Sequence, residues 1–320
     1  MEYCIGVDLG GTSIKTGVVD PDCKIIGRAS LPTMAEHGSE AIMDSIVKTV
    51  YLAAENAGVP FDKITHVGVG SPGTINGETG ILEFSGNLNL HKFPLAAELE
   101  SRLGCRVSIE NDANAAAFGE AVAGAAKNAK NAVVITLGTG VGSGIIINGK
   151  IYSGFNYAGA EFGHTVIVHD GVQCNCGRRG CWEVYASASA LIRQTQIKMI
   201  ENRDSVMWDI VGGDIEAVNG KTAFDGMRAE DTAATEVVHK YISYVACGVV
   251  NVINIFQPDI VCIGGGICYE GETLMAPLRN YIKAERFSKY SEKQTSFVTA
   301  ELGNDAGIIG AAYLHRSAQG

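Results

Sequence analysis

No stretch of this 320-residue chain is apolar for long enough to cross a bilayer, so a membrane-spanning role is excluded. Charge is also scarce: charged residues make up 19% against 46% hydrophobic, a balance that excludes disorder and leaves enough apolar mass for a sizeable core. Basic residues number 25 against 35 acidic ones, and no local basic cluster offsets the formal net charge of -10, which repels a phosphate backbone. Nucleic acid is therefore not an expected partner. There is no disulfide framework. Of nine cysteines, Cys4, Cys23, Cys105, Cys247, Cys262 and Cys268 are scattered, and Cys4 and Cys262 sit in apolar strand-like runs that suit buried thiols. No signal peptide opens the chain, because Met1-Glu2 leads straight into a short strand; a reducing cytoplasm is the expected compartment. Neither a P-loop nor a dinucleotide fingerprint occurs.

Glycine, by contrast, is abundant. Its 40 residues exceed the average usage of about 7%, so many tight turns or close backbone approaches to a ligand are expected. The densest chemistry lies between Gly159 and Glu183. Cys174, Cys176 and Cys181 are spaced C-x-C-x4-C with His164 ten residues upstream, and three thiolates plus one imidazole complete a closed tetrahedral zinc site. Gly177 and Gly180 suit a loop that must turn sharply around one ion. Buried reduced thiols, a redox pair or an exposed basic loop at Arg178 and Arg179 are the alternatives. If zinc takes one nitrogen of His164, the other is free to meet a ligand hydroxyl. Glu161 and Glu183 flank the cluster, and two carboxylates beside an imidazole suit a polyhydroxylated ligand such as a sugar.

The length suits two domains of about 150 residues each. Residues 3–8 read as a buried strand that breaks at Gly10-Gly11 and continues after Thr12 into a hairpin turning at Pro21-Asp22. The order recurs over 133–151, where Gly138, Thr139 and Gly140 stand in the loop and Asn148-Gly149 makes the turn, so a duplication is expected. One such loop reads as a plain tight hairpin; two matching ones favour a phosphate cradle. Asp8 beside the first loop suits Mg2+ held through water, and Thr12 and Thr139 offer hydroxyls to phosphate oxygens. Gly264-Gly265-Gly266 follows another strand and suits either a nucleotide base or ribose, or a turn.

Helical spacing of Ile42, Ile46, Val50 and Ala54 predicts a helix over 39–57, with Ser39 as cap and Gly58 as stop. A long amphipathic helix is expected over Thr232–Phe256, with Val237, Tyr241, Tyr244, Val245, Val252 and Ile255 on one side. Residues 201–230 show no clear pattern, and a single closing helix is expected over 306–315. The strand RVSIE runs into Glu110-Asn111-Asp112-Ala113-Asn114. Asp112 at this strand-to-helix junction is a candidate acid for chemistry, with helix capping as the alternative. Asn87 could bond a sugar hydroxyl or serve its own turn.

Taken together, DLGGT at Asp8–Thr12, ENDANAAA at Glu110–Ala117, LGTGVGSG at Leu137–Gly144, GAEFGH ending at His164, CNCGRRGCWE, GGGI and NDAGIIGAA resemble the ROK family of bacterial sugar kinases and repressors. The likeness runs nearly end to end and is greatest to the family's glucokinases. It implies an α/β, actin-like (ribonuclease H-like) two-domain fold with a central cleft. The domains expected are 1–118, completed by a terminal helix over 305–320, and 119–304 with the zinc loop. It further implies Asp112 as general base; Asn87, Asn111, Glu161, His164 and Glu183 on sugar hydroxyls; and structural Zn2+ on His164, Cys174, Cys176 and Cys181. ATP with Mg2+ is the implied donor, polyphosphate the alternative, and a homodimer or higher homo-oligomer the expected assembly. Glucose is the implied acceptor, with N-acetylmannosamine, fructose or allose as alternatives. A family repressor would carry an N-terminal helix-turn-helix, whereas here the first phosphate loop begins at Asp8. Leu90 departs from the tryptophan common in related kinases.

Overall fold

The structure, a computed structural model, describes residues 3–318. The chain opens with strands β1 (Tyr3–Leu9), β2 (Ser13–Val19) and β3 (Ile25–Pro32), followed by helix α1 (Ser39–Asn56) and β4 (Ile64–Ser71). Three short strands, β5 (Thr74–Asn76), β6 (Ile81–Ser85) and β7 (Leu90–Phe93), precede α2 (Leu95–Leu103), β8 (Val107–Asn111) and α3 (Asp112–Ala123). Next come β9 (Ala132–Leu137), β10 (Val141–Ile147), β11 (Lys150–Ile151), α4 (Glu183–Ala186), α5 (Ala188–Glu201), α6 (Met207–Ile210) and α7 (Thr222–Arg228). The chain closes with α8 (Thr232–Phe256), β12 (Ile260–Gly264), α9 (Glu272–Glu285), β13 (Ser296–Thr299), α10 (Ala306–Ala312) and α11 (Leu314–Ala318).

Two five-stranded sheets share one plan. The first has the order β3-β2-β1-β4-β8, the second β11-β10-β9-β12-β13. Each joins an antiparallel glycine-headed hairpin to parallel strands, as the sequence echo leads one to expect. Two compact units result: one holds the chain up to Val134, Gly144–Ala160 and the segment from Ala300, the other Ile135–Ser143 and Glu161–Thr299. The first unit thus continues past residue 118, because α3 is one unbroken helix that packs on α10. No helix among the described residues is long and apolar enough to cross a membrane.

The first unit's core joins Ile5, Val7 and Leu9 of β1 and Val67 and Val69 of β4 to the α1 positions Ile42, Ile46, Val50 and Ala54, all buried as their spacing predicts. Helix α10 covers the other face at backbone distance. A Cβ on Gly6 would come within 1.8 Å of the Ile308 carbonyl oxygen, and one on Gly68 within 1.7 Å of that of Ala311. Against α3 the fit is equally close, a Cβ on Gly310 falling 1.7 Å from the Ala115 carbonyl oxygen. These glycines weaken strand and helix locally but allow an approach that any side chain forbids. The Glu120 carboxylate, 1% exposed, accepts the N–H groups of Ala125, Glu301 and Leu302 and so fastens the segment entering α10.

Some local expectations give way to particular contacts. Ser39 is the first residue of α1 rather than its cap; Gly38, at φ 88°, holds the cap position and no side chain bonds there. The closing helix breaks at Tyr313, whose hydroxyl donates to the Asp20 carbonyl, so α10 and α11 are separate. Along α8, Val237, Tyr241, Val245 and Val252 are buried, Tyr244 is half-buried, and Ile255 is 70% exposed. In that last turn Phe256 makes the apolar contact instead, its ring 5.5 Å from that of Phe162. Residues 201–230, unpatterned in sequence, hold α6, α7 and a short 3-10 turn over Ile215–Ala217.

Candidate active site

In the first unit, β1 and β8 are carried to their carboxyl ends by the sheet, and the acids stand there. Asp8 pairs across the hairpin with Lys15. Burial raises the Asp8 carboxyl above the ordinary range, Lys15 pulls it back and the Asp112 carboxylate raises it again. The glycine loop beyond is tight: the Gly10 N–H bonds to the Ser13 carbonyl at 3.0 Å and Thr33 Oγ1 donates to the Gly10 carbonyl at 2.6 Å. Thr12 is exposed at its tip. Asn87, also exposed, stands beside it, since a Cβ on Gly11 would lie 3.4 Å from that of Asn87. Leu90 is 7% exposed and belongs to the core cluster, so it packs rather than facing a ligand.

At the junction of β8 with α3 the capping role falls to Asn111. Asn111 is the N-cap: its Oδ1 accepts from the N–H groups of Ala113 and Asn114 at 2.9 and 3.2 Å, while its Nδ2 donates to the Gly73 carbonyl at 3.1 Å. Asp112 is thereby released from the capping role. Its Oδ1 accepts the Ala113 N–H at 2.8 Å, and burial, partly offset by that bond, raises its carboxyl pKa.

In the second unit the predicted residues gather around Val141. Its N–H donates to Glu183 Oε2 at 3.0 Å, and its carbonyl oxygen faces Gly163, where a Cβ would intrude to 2.4 Å. Gly140 is required by the same carboxylate, because a Cβ there would meet Glu183 Oε2 at 2.2 Å. The Phe162 N–H reaches Ser143 Oγ at 3.2 Å, which fixes the 3-10 turn Phe162–His164 that follows Glu161. Glu161, His164, Glu183 and the loop Gly138-Thr139-Gly140 thus form one patch. The third glycine loop adjoins it: Gly265, at φ 101°, lies with its missing Cβ 2.1 Å from the Leu137 carbonyl oxygen. Gly138 and Gly266 face open space, and Gly264 is buried at the end of β12.

Behind this patch, the donor atoms of His164, Cys174, Cys176 and Cys181 all lie within 4.8 Å of one another. Cys176 Sγ is 3.6 Å from Cys181 Sγ, and Cys174 Sγ is 3.7 Å from His164 Nδ1. Zinc–sulfur bonds of about 2.3 Å set tetrahedral neighbours about 3.8 Å apart, so the donor set fits zinc. With Nδ1 turned to the thiols, Nε2 is the nitrogen left for a ligand. Gly177 and Gly180 have φ 91° and 80°, as the sharp loop requires.

The sequence matches the ROK family over residues 4–318. The chain belongs to the ROK family. It is 38% identical to a glucokinase of Thermotoga maritima over 97% of this chain and 96% of that one. It is 36% identical to a glucokinase of Streptomyces coelicolor, over 99% and 98% of the two chains. The crystal structure of a ROK family glucokinase from Streptomyces griseus, in complex with glucose and AMPPNP, superposes with a TM-score of 0.81 at 34% identity, covering 98% of each chain. The fold is accordingly the actin-like, two-domain one of ROK sugar kinases.

Two residues of this ROK protein escape a reading of its motifs. Lys15 is the cation that offsets Asp8, and its signal was cross-strand register rather than any motif. Trp182, between the last cysteine and Glu183, is fully buried and donates to the Tyr244 carbonyl at 2.8 Å. Its indole fills the space left by Gly248, where a Cβ would come within 2.0 Å, and so anchors the cysteine loop on α8.

Proposed function

We propose that this protein transfers the γ-phosphoryl group of ATP to the 6-hydroxyl of glucose. The observation that carries the reading is Asp112: a half-buried carboxylate at a strand-to-helix junction whose capping is already done by Asn111, beside Asp8 and the first glycine loop. A carboxylate so held accepts the proton of the attacking hydroxyl. Phosphoryl transfer demands mainly positioning and charge neutralisation, so a base of modest strength suffices. The N–H groups of Gly10 and Gly138 close their own loops on the Ser13 and Gly140 carbonyls, so the backbone N–H groups of Gly11–Thr12 and of Thr139–Gly140 are the ones that meet phosphate oxygens; Thr12 and Thr139 add hydroxyls, and Gly264–Gly266 receives the nucleoside.

Asn87, Asn111, Glu161, His164 Nε2 and Glu183 bind the sugar hydroxyls. Mg2+ accompanying ATP neutralises phosphate charge, with Asp8 the carboxylate nearest that task. Zn2+ on His164, Cys174, Cys176 and Cys181 stiffens the loop that carries Glu183. The named glucokinase relatives support glucose over other hexoses. The nine free cysteines support a reducing cytoplasm. A coupled assay over glucose, fructose, allose and N-acetylmannosamine, run with ATP and with polyphosphate, tests the reading. Glucose with ATP is expected to give the highest kcat/KM, and no turnover of any sugar with either donor would remove it.

A further inference from the structure

Strand β8 is at the edge of its sheet, so the N–H of its last residue, Asn111, has no further strand to meet. A side chain fills the gap. Glu110 Oε1 accepts that N–H at 2.8 Å and also accepts Asn114 Nδ2 at 3.1 Å, while Oε2 takes the hydroxyl of Ser153 at 3.3 Å. The carboxylate is 8% exposed and has no cation among these partners. Burial raises its pKa, and the three donors offset part of that rise. A lone buried carboxylate is costly, and an apolar residue would fill the same volume with less penalty.

We propose that Glu110 is a positioning residue that sets the direction of the Asp112 carboxylate. Its two Oε1 bonds reach residues 111 and 114, one on each side of Asp112, and so bracket the first turn of α3. Removing the bracket frees the peptide before Asn111 and lets the turn rotate about the cap. Among the described residues, Asn114, 3% exposed with an unpartnered Oδ1, has Glu110 as the partner of its Nδ2. The Oε2 contact extends the brace to Ser153, in the segment that runs on to Glu161; the Gly159 N–H closes that loop on the Ser153 carbonyl at 2.8 Å. One side chain therefore steadies the residue read as base and also ties down Ser153. The inference rests on the reading of Asp112 as the base.

The test compares Glu110→Ala, Glu110→Gln and Asn114→Ala for kcat, glucose KM and equilibrium glucose binding by calorimetry. Glu110→Ala is expected to lower kcat about 10-fold to 100-fold, the scale of a base misplaced by up to about 1 Å, with glucose affinity changed less than about 3-fold. Glutamine should recover most of that loss, since its Oε1 accepts from Asn111 and Asn114 while Nε2 donates to Ser153 Oγ. Asn114→Ala, losing one arm of the bracket, should lower kcat by about 3-fold to 10-fold. A folded Glu110→Ala protein with wild-type kcat overturns the proposal, as does a glutamine variant no better than alanine. If Glu110→Ala does not fold, wild-type kcat in Asn114→Ala overturns it instead. Asp112→Asn separates the two readings: if it keeps full turnover the base assignment fails, whereas if it is inactive and Glu110→Ala is not, only the positioning role fails.

Discussion

Asn111 and Asp112 are adjacent, similar in size and equally good helix caps, yet the fold gives the cap to Asn111. Because Asn111 occupies the cap, exchanging Asp112 for asparagine costs the helix almost nothing. An amide cannot take up a hydroxyl proton, however, so Asp112→Asn is expected to lower kcat by about 10^2-fold to 10^4-fold while glucose affinity changes far less. Burial raises the Asp112 carboxyl, so the acid limb of the wild-type kcat/KM profile should lie above the ordinary carboxylate range, with activity lost as pH falls through it. Steady-state kinetics with binding calorimetry check both. Turnover near that of the wild type would leave Asp112 a structural residue. Motif and junction made this residue legible in sequence. Glu110 was quoted in the same motif and passed over, because a brace is defined by what its oxygens touch and not by spacing.

At the scale of single elements, the cysteine loop mechanically joins the four clustered metal-type donors to Glu183, a residue proposed to bind sugar. Spacing alone brought His164 and three cysteines together correctly, since four donors on one short segment can converge without knowledge of the rest of the fold. What spacing could not give was the anchor: Trp182 locks the loop onto α8, and Glu183 then engages the Val141 N–H at 3.0 Å. Cys176 is exposed and is not itself proposed to meet the sugar, so any effect of its loss on sugar must pass through the shared metal cluster with His164 or through the loop that carries Glu183. Purified protein is expected to hold about one zinc per chain, because four ligands close one site. Cys176→Ala should lose that metal and weaken glucose binding by about 10-fold, the lower end for loss of a metal-site support. Elemental analysis and calorimetry on the same preparation decide it; metal-free protein with unchanged glucose affinity would break the link. Helix α10 illustrates the opposite case. Its position on β1 and β4 is written in Gly6 and Gly68, but isolated strand glycines also signal bulges, so the sequence alone could not say what approached them.

At the scale of the whole molecule, the repeated hairpin was readable because both copies keep their glycines and turn residues, and the matching strand orders follow from it. Less readable were the limits of the compact units, which depend on Gly144–Ala160 and the segment from Ala300 joining the first one across long sequence separations. The same distant closure buries His66 of β4 against His315 of α11, with ring centroids 4.6 Å apart. Burial first, then His315 and Arg106, lower the His66 pKa from 6.5 to about 4, and its Nε2 has no partner among the described residues. The unfolded chain therefore binds this proton more readily than the folded one. Stability attributable to His66 is intact above pH 6.5 and is lost progressively as pH falls toward 4, by at most about 3 kcal/mol. Asp8, Glu110 and Asp112 act in the other direction, since carboxyls raised by burial take up protons more readily when folded. A comparison with His66→Leu isolates the histidine from that background. Between pH 7.5 and pH 5 the wild-type Tm is expected to fall further than that of the variant, so that the stability gap between them shifts in the variant's favour. Parallel Tm curves across this range would show that His66 keeps its ordinary pKa and that the packing of α11 on β4 carries no acid sensitivity through it.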